Sequence, residues 1–177
     1  DLGSALAWGF GPVTPTDILE RARANGVMIA TAESCTGGMV AAALTDIPGS
    51  SDVVDRGFVT YSNTAKQDML RVRPDTLRVH GAVSEEVARE MADGALLQAP
   101  VTMAVSVTGI AGPGGSEFKP EGRVCFGLSV AGLPCETETV EFGALGRANV
   151  RQAACDHALD LLARGLLRID ENSRTKA

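Results

Sequence analysis

Three short apolar runs constrain this chain more than any other feature: "VMIATAE" at 27–33, "RGFVTYS" at 56–62 and "VTMAVSVTG" at 101–109. Each is too short for a packed helix. The first and third are close to continuous in apolar or small residues, as strands are when both of their faces are covered. Such strands need helices on two sides, and the intervening stretches supply helical patterns. "TPTDILERARANG" has a polar cap, an early acid and Gly26 as a stop. Gly37 to Leu44 opens a small-residue helix that ends before "DIPGSSD", and "NTAKQDMLRV" is a short one. In "SEEVAREMADGALLQA", Ser84 caps a helix whose apolar positions include Val87, Met91 and Leu96. "RVCFGLSVAG" and "PCETETVEF" read as an antiparallel hairpin through Leu133, and "NVRQAACDHALDLLARGLL" as a closing helix. The pattern predicts an α/β fold: a three-layer α/β/α sandwich around a mixed sheet with an antiparallel edge pair.

With 177 residues and 45% hydrophobic content, the chain suffices for one core, expected over 15–168. Residues 1–14 read as a disordered or loosely packed segment and 169–177 as a polar tail. A net charge of -6 argues against a nucleic-acid partner, because phosphate backbones are gripped by clustered Lys and Arg. Cys35, Cys125, Cys135 and Cys155 show no paired spacing, so no metal is expected, and they read as the thiols of a cytoplasmic protein. No apolar run approaches the roughly 18 residues that would predict a membrane span.

In sheets of this kind ligands gather beyond the carboxyl ends of the strands, and three functional-looking segments fall there: "AESCTGG", "TYSNTAK" and "TGIAGPGGS". In the first, Gly37 and Gly38 permit a tight entry into a helix, and the amides around Cys35, Thr36, Gly37 and Gly38 form a candidate oxyanion or anion site. Ser34 is either a nucleophile beside those amides or, with Thr36, a helix cap. Cys35 reads as an apolar filler rather than a nucleophile. Glu33 is either a rim carboxylate or a ligand-binding group.

A serine nucleophile needs a base. His80 and His157 are the two histidines, the first near a predicted helix start and the second inside a helix, and neither supports a Ser-His-Asp triad. Lys66 is the better candidate, since the turn after Tyr61 lets its side chain reach back to the strand end, although solvated lysines are the commoner kind. To act as a base it must lose its proton well below the ordinary lysine value of about 10.4. In the third segment Thr108, Gly109, Gly112, Gly114, Gly115 and Ser116, with Lys119 beyond, suit a backbone nest around a phosphate, or else a flexible surface loop. Neither a Walker sequence nor a GxGxxG fingerprint is present. Arg147 and Arg151 stand one helical turn apart and either share an anion or are solvated.

"AESCTGG", "GFVTYSNTAKQDML", "GAVSEEVAREMADGAL", "AVSVTGIAGPGGS", "KPEGRVCFG" and "GRANVRQAA", in this order and spacing, resemble the carboxy-terminal domain of the CinA proteins. The resemblance runs from about Thr16 to Leu167. It implies hydrolysis of the carboxamide of nicotinamide mononucleotide to nicotinate mononucleotide and ammonia, with no cofactor or metal. It also implies Ser34 as nucleophile, Lys66 as its partner and Tyr61 as the neighbouring hydroxyl. Relatives self-associate, so a homodimer or higher oligomer is expected. Glu121 and Arg123 depart from the family pattern, standing where many relatives have an apolar and a small residue. The alternative is a nucleotide-binding or protein-interaction domain without turnover, linked to competence or DNA damage.

Overall fold

The computed structural model describes residues 13–116 and 118–177. The helix predicted from the capping pattern at Thr14 is α1 (Pro15–Ala24): the Thr14 hydroxyl accepts from the Asp17 amide and the Asp17 carboxylate accepts from the Thr14 amide, with Pro15 in the first turn. It leads into β1 (Ile29–Glu33), every residue of which is buried. The small side chains of Ala30 and Ala32 let β1 sit between two helical layers. After it come α2 (Met39–Thr45), β2 (Val54–Val59), α3 (Asn63–Leu70), α4 (Pro74–His80) and α5 (Glu85–Gln98). β3 (Met103–Gly109), β4 (Arg123–Val130), β5 (Glu136–Glu141) and α6 (Arg147–Lys176) complete the order.

The sheet runs β2-β1-β3-β4-β5, parallel at β2/β1 and β1/β3 and antiparallel from β3 onward. Helices α1, α2 and α6 cover one face over a core that includes Ile18, Val40, Val105, Phe126 and Leu162. Helices α3, α4 and α5 cover the other, with Leu70, Leu77, Val87 and Met91 buried against Ala30, Ala32 and Ala104. The fold is the three-layer α/β/α sandwich with an antiparallel pair at one edge. Because β1 has β2 on one side and β3 on the other, the connections leaving its neighbourhood diverge. This topological switch point opens a crevice beyond the carboxyl ends of β1 and β3.

The structure adds to two local readings. His80, expected near a helix start, stands shortly before α5 and also ends α4, a separate helix that starts with Pro74 after Arg71 turns the chain with φ 59°. The tail expected over 169–177 is helical up to Lys176, because Ile169 packs on the core and Arg168 donates to the Pro134 carbonyl at 3.1 Å. The segment expected to be loose, 1–14, lies mostly outside the described residues, although Val13 packs on the core.

Close approach of α5 to the end of α3 depends on Gly94, where a Cβ would fall 2.0 Å from the Leu70 carbonyl oxygen. Backbone cannot yield as a flexible side chain can. Gly94→Ala is therefore expected to cost about 2 kcal/mol or more, seen as a fall of roughly 4–8 °C in the thermal midpoint.

The edge strand β5 is tied to α6 by Glu138, whose carboxylate meets Nε2 of His157, with Arg164 Nη1 at 3.6 Å from its other oxygen. The His157 ring packs 4.6 Å from Phe126. The hydrogen bond to His157 lowers the Glu138 carboxyl from its ordinary 4.5, against the opposing effect of burial. A lowered value means that the folded chain prefers the ionised form. Its contribution is complete above the ordinary value and fades as pH falls through the lowered one. Glu138→Gln should reduce the thermal midpoint between about pH 5 and 8 and converge on the wild type in stronger acid. A gap that persisted at low pH would rule this linkage out.

Candidate active site

At the end of β1 the chain turns sharply, and successive side chains there point to opposite faces of the sheet. Glu33 points toward α2. It is 1% exposed, and its two carboxylate oxygens accept from the amides of Val40 at 2.9 Å and Ala41 at 3.1 Å. The carboxylate thus satisfies the free amides of the α2 start, where negative charge is favoured. Glu33 is therefore buried rather than on a rim, with both carboxylate oxygens engaged by the start of α2. Nor does Ser34 or Thr36 cap this helix: Gly38 is the capping residue, at φ 107°, and makes no side-chain bond.

Ser34 faces the other way. Its amide extends the β1/β3 pairing by donating to Val107 O at 2.8 Å, and its carbonyl accepts from the Gly37 amide at 3.0 Å, which closes the turn. Gly37, at φ 57°, makes the reversal possible. Its amide is consumed by that turn, so it is not a free donor as expected. Among the described residues the amides of Cys35 and Thr36 make no backbone hydrogen bond.

Lys66 reaches this point from the first turns of α3, which Ser62 starts by accepting from the Ala65 amide at 3.0 Å. Its Nζ lies 3.0 Å from Ser34 Oγ and 2.8 Å from the Thr60 carbonyl oxygen, and the residue is 1% exposed. A lysine this buried needs acceptors for its N–H groups, and the end of β2 provides one in Thr60. No sequence signal marked Thr60, because a main-chain carbonyl can come from any residue type.

The serine opens on a cavity of about 290 Å³, walled by Cys35, Tyr61 and the glycine-rich segment from Gly109 to Ser116, with Arg147 at its side. Arg147 donates to the Gly112 carbonyl at 2.7 Å and to the Tyr61 hydroxyl at 2.5 Å. Tyr61, 59% exposed, therefore stands at the mouth with its hydroxyl engaged by a guanidinium. Burial pushes the Cys35 thiol up to about 11, so it stays protonated and serves as wall.

Of the expected ligand residues, Gly109, Gly112, Gly114, Gly115, Ser116 and Arg147 line this cavity. Others do not. The Thr108 hydroxyl donates to Ala82 O at 2.8 Å. The Lys119 ammonium donates to His80 O at 2.7 Å and Val83 O at 2.6 Å, fastening the loop to the α4–α5 connection. Arg151 diverges from Arg147 and braces the serine turn from behind, through Cys35 O at 3.0 Å and Thr36 O at 3.4 Å. Thr36 is buried, with its hydroxyl unpartnered. Among the described residues no group of three or more His, Cys, Asp or Glu could hold a metal ion, and no helix is long and apolar enough to cross a membrane.

A family model described as the CinA C-terminal domain matches residues 14–166, which include the serine turn, the lysine and the glycine-rich wall. The chain belongs to the CinA C-terminal domain family. It is 52% identical over 141 residues to the nicotinamide-nucleotide amidohydrolase PncC of Escherichia coli, covering 79% of this chain and 85% of that protein. It is 59% identical over 120 residues to a CinA-like protein of Chlorobium phaeobacteroides, covering 65% of this chain but 29% of that longer protein. The chain thus spans about a third of the CinA-like relatives it matches. Among solved structures, the competence/damage inducible protein CihA of Agrobacterium tumefaciens is 43% identical with a TM-score of 0.79, over 90% of this chain and 97% of that one. A CinA-superfamily protein of Klebsiella pneumoniae is 37% identical with a TM-score of 0.83, over 87% and 96%. Fold and family therefore agree across nearly all of the described chain.

Proposed function

We propose that this chain is an amidohydrolase that converts nicotinamide mononucleotide to nicotinate mononucleotide and ammonia, with Ser34 as nucleophile and Lys66 as its base. The 3.0 Å contact between Lys66 Nζ and Ser34 Oγ, at the floor of an open cleft, carries the reading. The similarity to a nicotinamide-nucleotide amidohydrolase supplies the substrate class.

In the reacting state Lys66 is a neutral amine that accepts the Ser34 hydroxyl proton, while Thr60 O holds one of its N–H groups. Withdrawal from water favours the uncharged form of an amine. Ser34 Oγ bonds to the carboxamide carbon, and the carbonyl oxygen becomes an oxyanion facing the amides of Cys35 and Thr36. Each well-placed donor of this kind contributes about 3–4 kcal/mol. The C–N bond then breaks, with Lys66 returning the proton so that ammonia departs. Water enters, gives a proton to Lys66 as its oxygen bonds to the acyl carbon, and the ester C–Oγ bond then breaks while Lys66 returns that proton to Ser34 Oγ, freeing nicotinate mononucleotide and the neutral serine. Among the described residues Arg147 is the charged one in the cavity wall, and it suits the nucleotide's phosphate.

The reading is tested by incubating the purified chain with nicotinamide mononucleotide and measuring ammonia and nicotinate mononucleotide, expected in equal amounts. Saturable binding with no ammonia would replace the enzyme with a nucleotide-binding module.

A further inference from the structure

Glu121 sits outside the cavity wall and has no part in the chemistry above, yet its carboxylate joins the two elements that form one side of the cleft. Oε1 accepts from the Gly114 amide at 2.7 Å and Oε2 from the Gly146 amide at 3.1 Å. Gly114 belongs to the glycine-rich wall, and Gly146 is the residue from which α6 starts. The next residue, Arg147, returns to the same wall through its 2.7 Å bond to Gly112 O.

The wall is shaped to admit this side chain. A Cβ at Gly112, where φ is +90°, would fall 2.3 Å from Glu121 Oε1, so the carboxylate occupies the space that the glycine leaves. Gly122 allows an equally close approach, since a Cβ there would fall 2.0 Å from Gly143 O. The Gly114 amide, which would serve a phosphate in a backbone nest, is thus already bonded to an internal carboxylate. Arg147 offers a guanidinium on this side, and it follows directly on Gly146, where α6 begins.

We infer that Glu121 is a positioning residue: a two-ended carboxylate strut that holds the glycine-rich wall against the start of α6 and so sets the Arg147 guanidinium at the cavity mouth. The strut acts on ligand capture rather than on the serine and lysine, which stand on other elements. This role rests on the amidohydrolase reading for its catalytic consequence but not for its structural one.

Glu121→Gln is nearly isosteric and uncharged, and has a single acceptor oxygen, so at most one of the two anchors survives in full. Amide hydrogen exchange resolved at Gly114 and Gly146 reads the strut without any turnover. Exchange at one or both should quicken by about tenfold in the variant, the scale of one charge-assisted hydrogen bond. Steady-state kinetics with nicotinamide mononucleotide should show KM raised about tenfold and kcat within about threefold, the signature of lost uniform binding. Combined with Arg147→Gln, Glu121→Gln should add little further to KM, since both act through one contact. Unchanged exchange overturns the strut, and quickened exchange with unchanged KM, or a loss confined to kcat, overturns the positioning role. If the wild type releases no ammonia, the amidohydrolase reading falls by itself, and the exchange rates alone decide the strut.

Discussion

Ser34→Ala is expected to lower ammonia release from nicotinamide mononucleotide by about 10⁴-fold or more, the scale seen when a covalent nucleophile is removed from a hydrolase. That corresponds to about 5.5 kcal/mol of transition-state stabilisation. Little else should change. Ser34 is partly exposed and its amide remains in the β1/β3 pairing. The hydroxyl removed accepts one bond from Lys66 Nζ, which keeps Thr60 O as a partner. Losing one hydrogen bond costs about 1 kcal/mol. The variant should therefore fold, bind substrate with an affinity near wild type and fail at the chemical step. A folded variant that turns over within threefold of wild type would remove Ser34 from the mechanism.

Lys66 is the second large effect. A general base is worth about 10²–10⁴ in rate, and Lys66→Met, which keeps much of the buried stem, should lose that much. Lys66→Arg separates two explanations of the same loss. A guanidinium remains protonated and can supply charge to the site without accepting the serine proton. Lys66→Arg should therefore be as inactive as Lys66→Met. The wild-type kcat/KM should fall toward acid as one essential base of the free enzyme gains its proton, and the residual activity of either variant should lack that limb. Near-normal turnover in Lys66→Arg would mean that the position contributes charge alone. His80→Asn is the matched control: His80 stands 3.7 Å from Glu86, does not line the Ser34 cavity, and should leave the rate unchanged within a few fold.

The layers were legible in the sequence because a strand buried on both faces and a helix buried on one leave different apolar periods, and the capping residues Thr14 and Ser84 mark starts that the chain uses. The serine turn and the glycine-rich segment were legible as local features for a related reason: a turn that reverses through positive φ and a wall that approaches other backbone both demand glycine, whereas the pairing of Ser34 with Lys66 was implied by the family resemblance. The separate helix α4 and the last turns of α6 were not: α4 is a short helix with Leu77 as its buried apolar residue, and the end of α6 leans on partners distant along the chain, such as Pro134 for Arg168.

What the sequence determined by itself is therefore the kind of sheet, the end of it where ligands gather, and the small set of hydroxyl, amine and guanidinium groups available there. Tertiary structure decided how those groups are used. Arg147 and Arg151 are one turn apart on α6, yet one enters the cavity and the other braces the serine turn. Glu33 and Ser34 are adjacent, yet strand alternation sends the first to the α2 amides and the second to Lys66. Lys119 and Glu121 bracket one proline, yet the first fastens its loop to the α4–α5 connection and the second joins the glycine-rich wall to the start of α6. A side chain's charge and length are local properties, whereas its partner is set by which backbone amide or carbonyl the packed layers bring within about 3 Å.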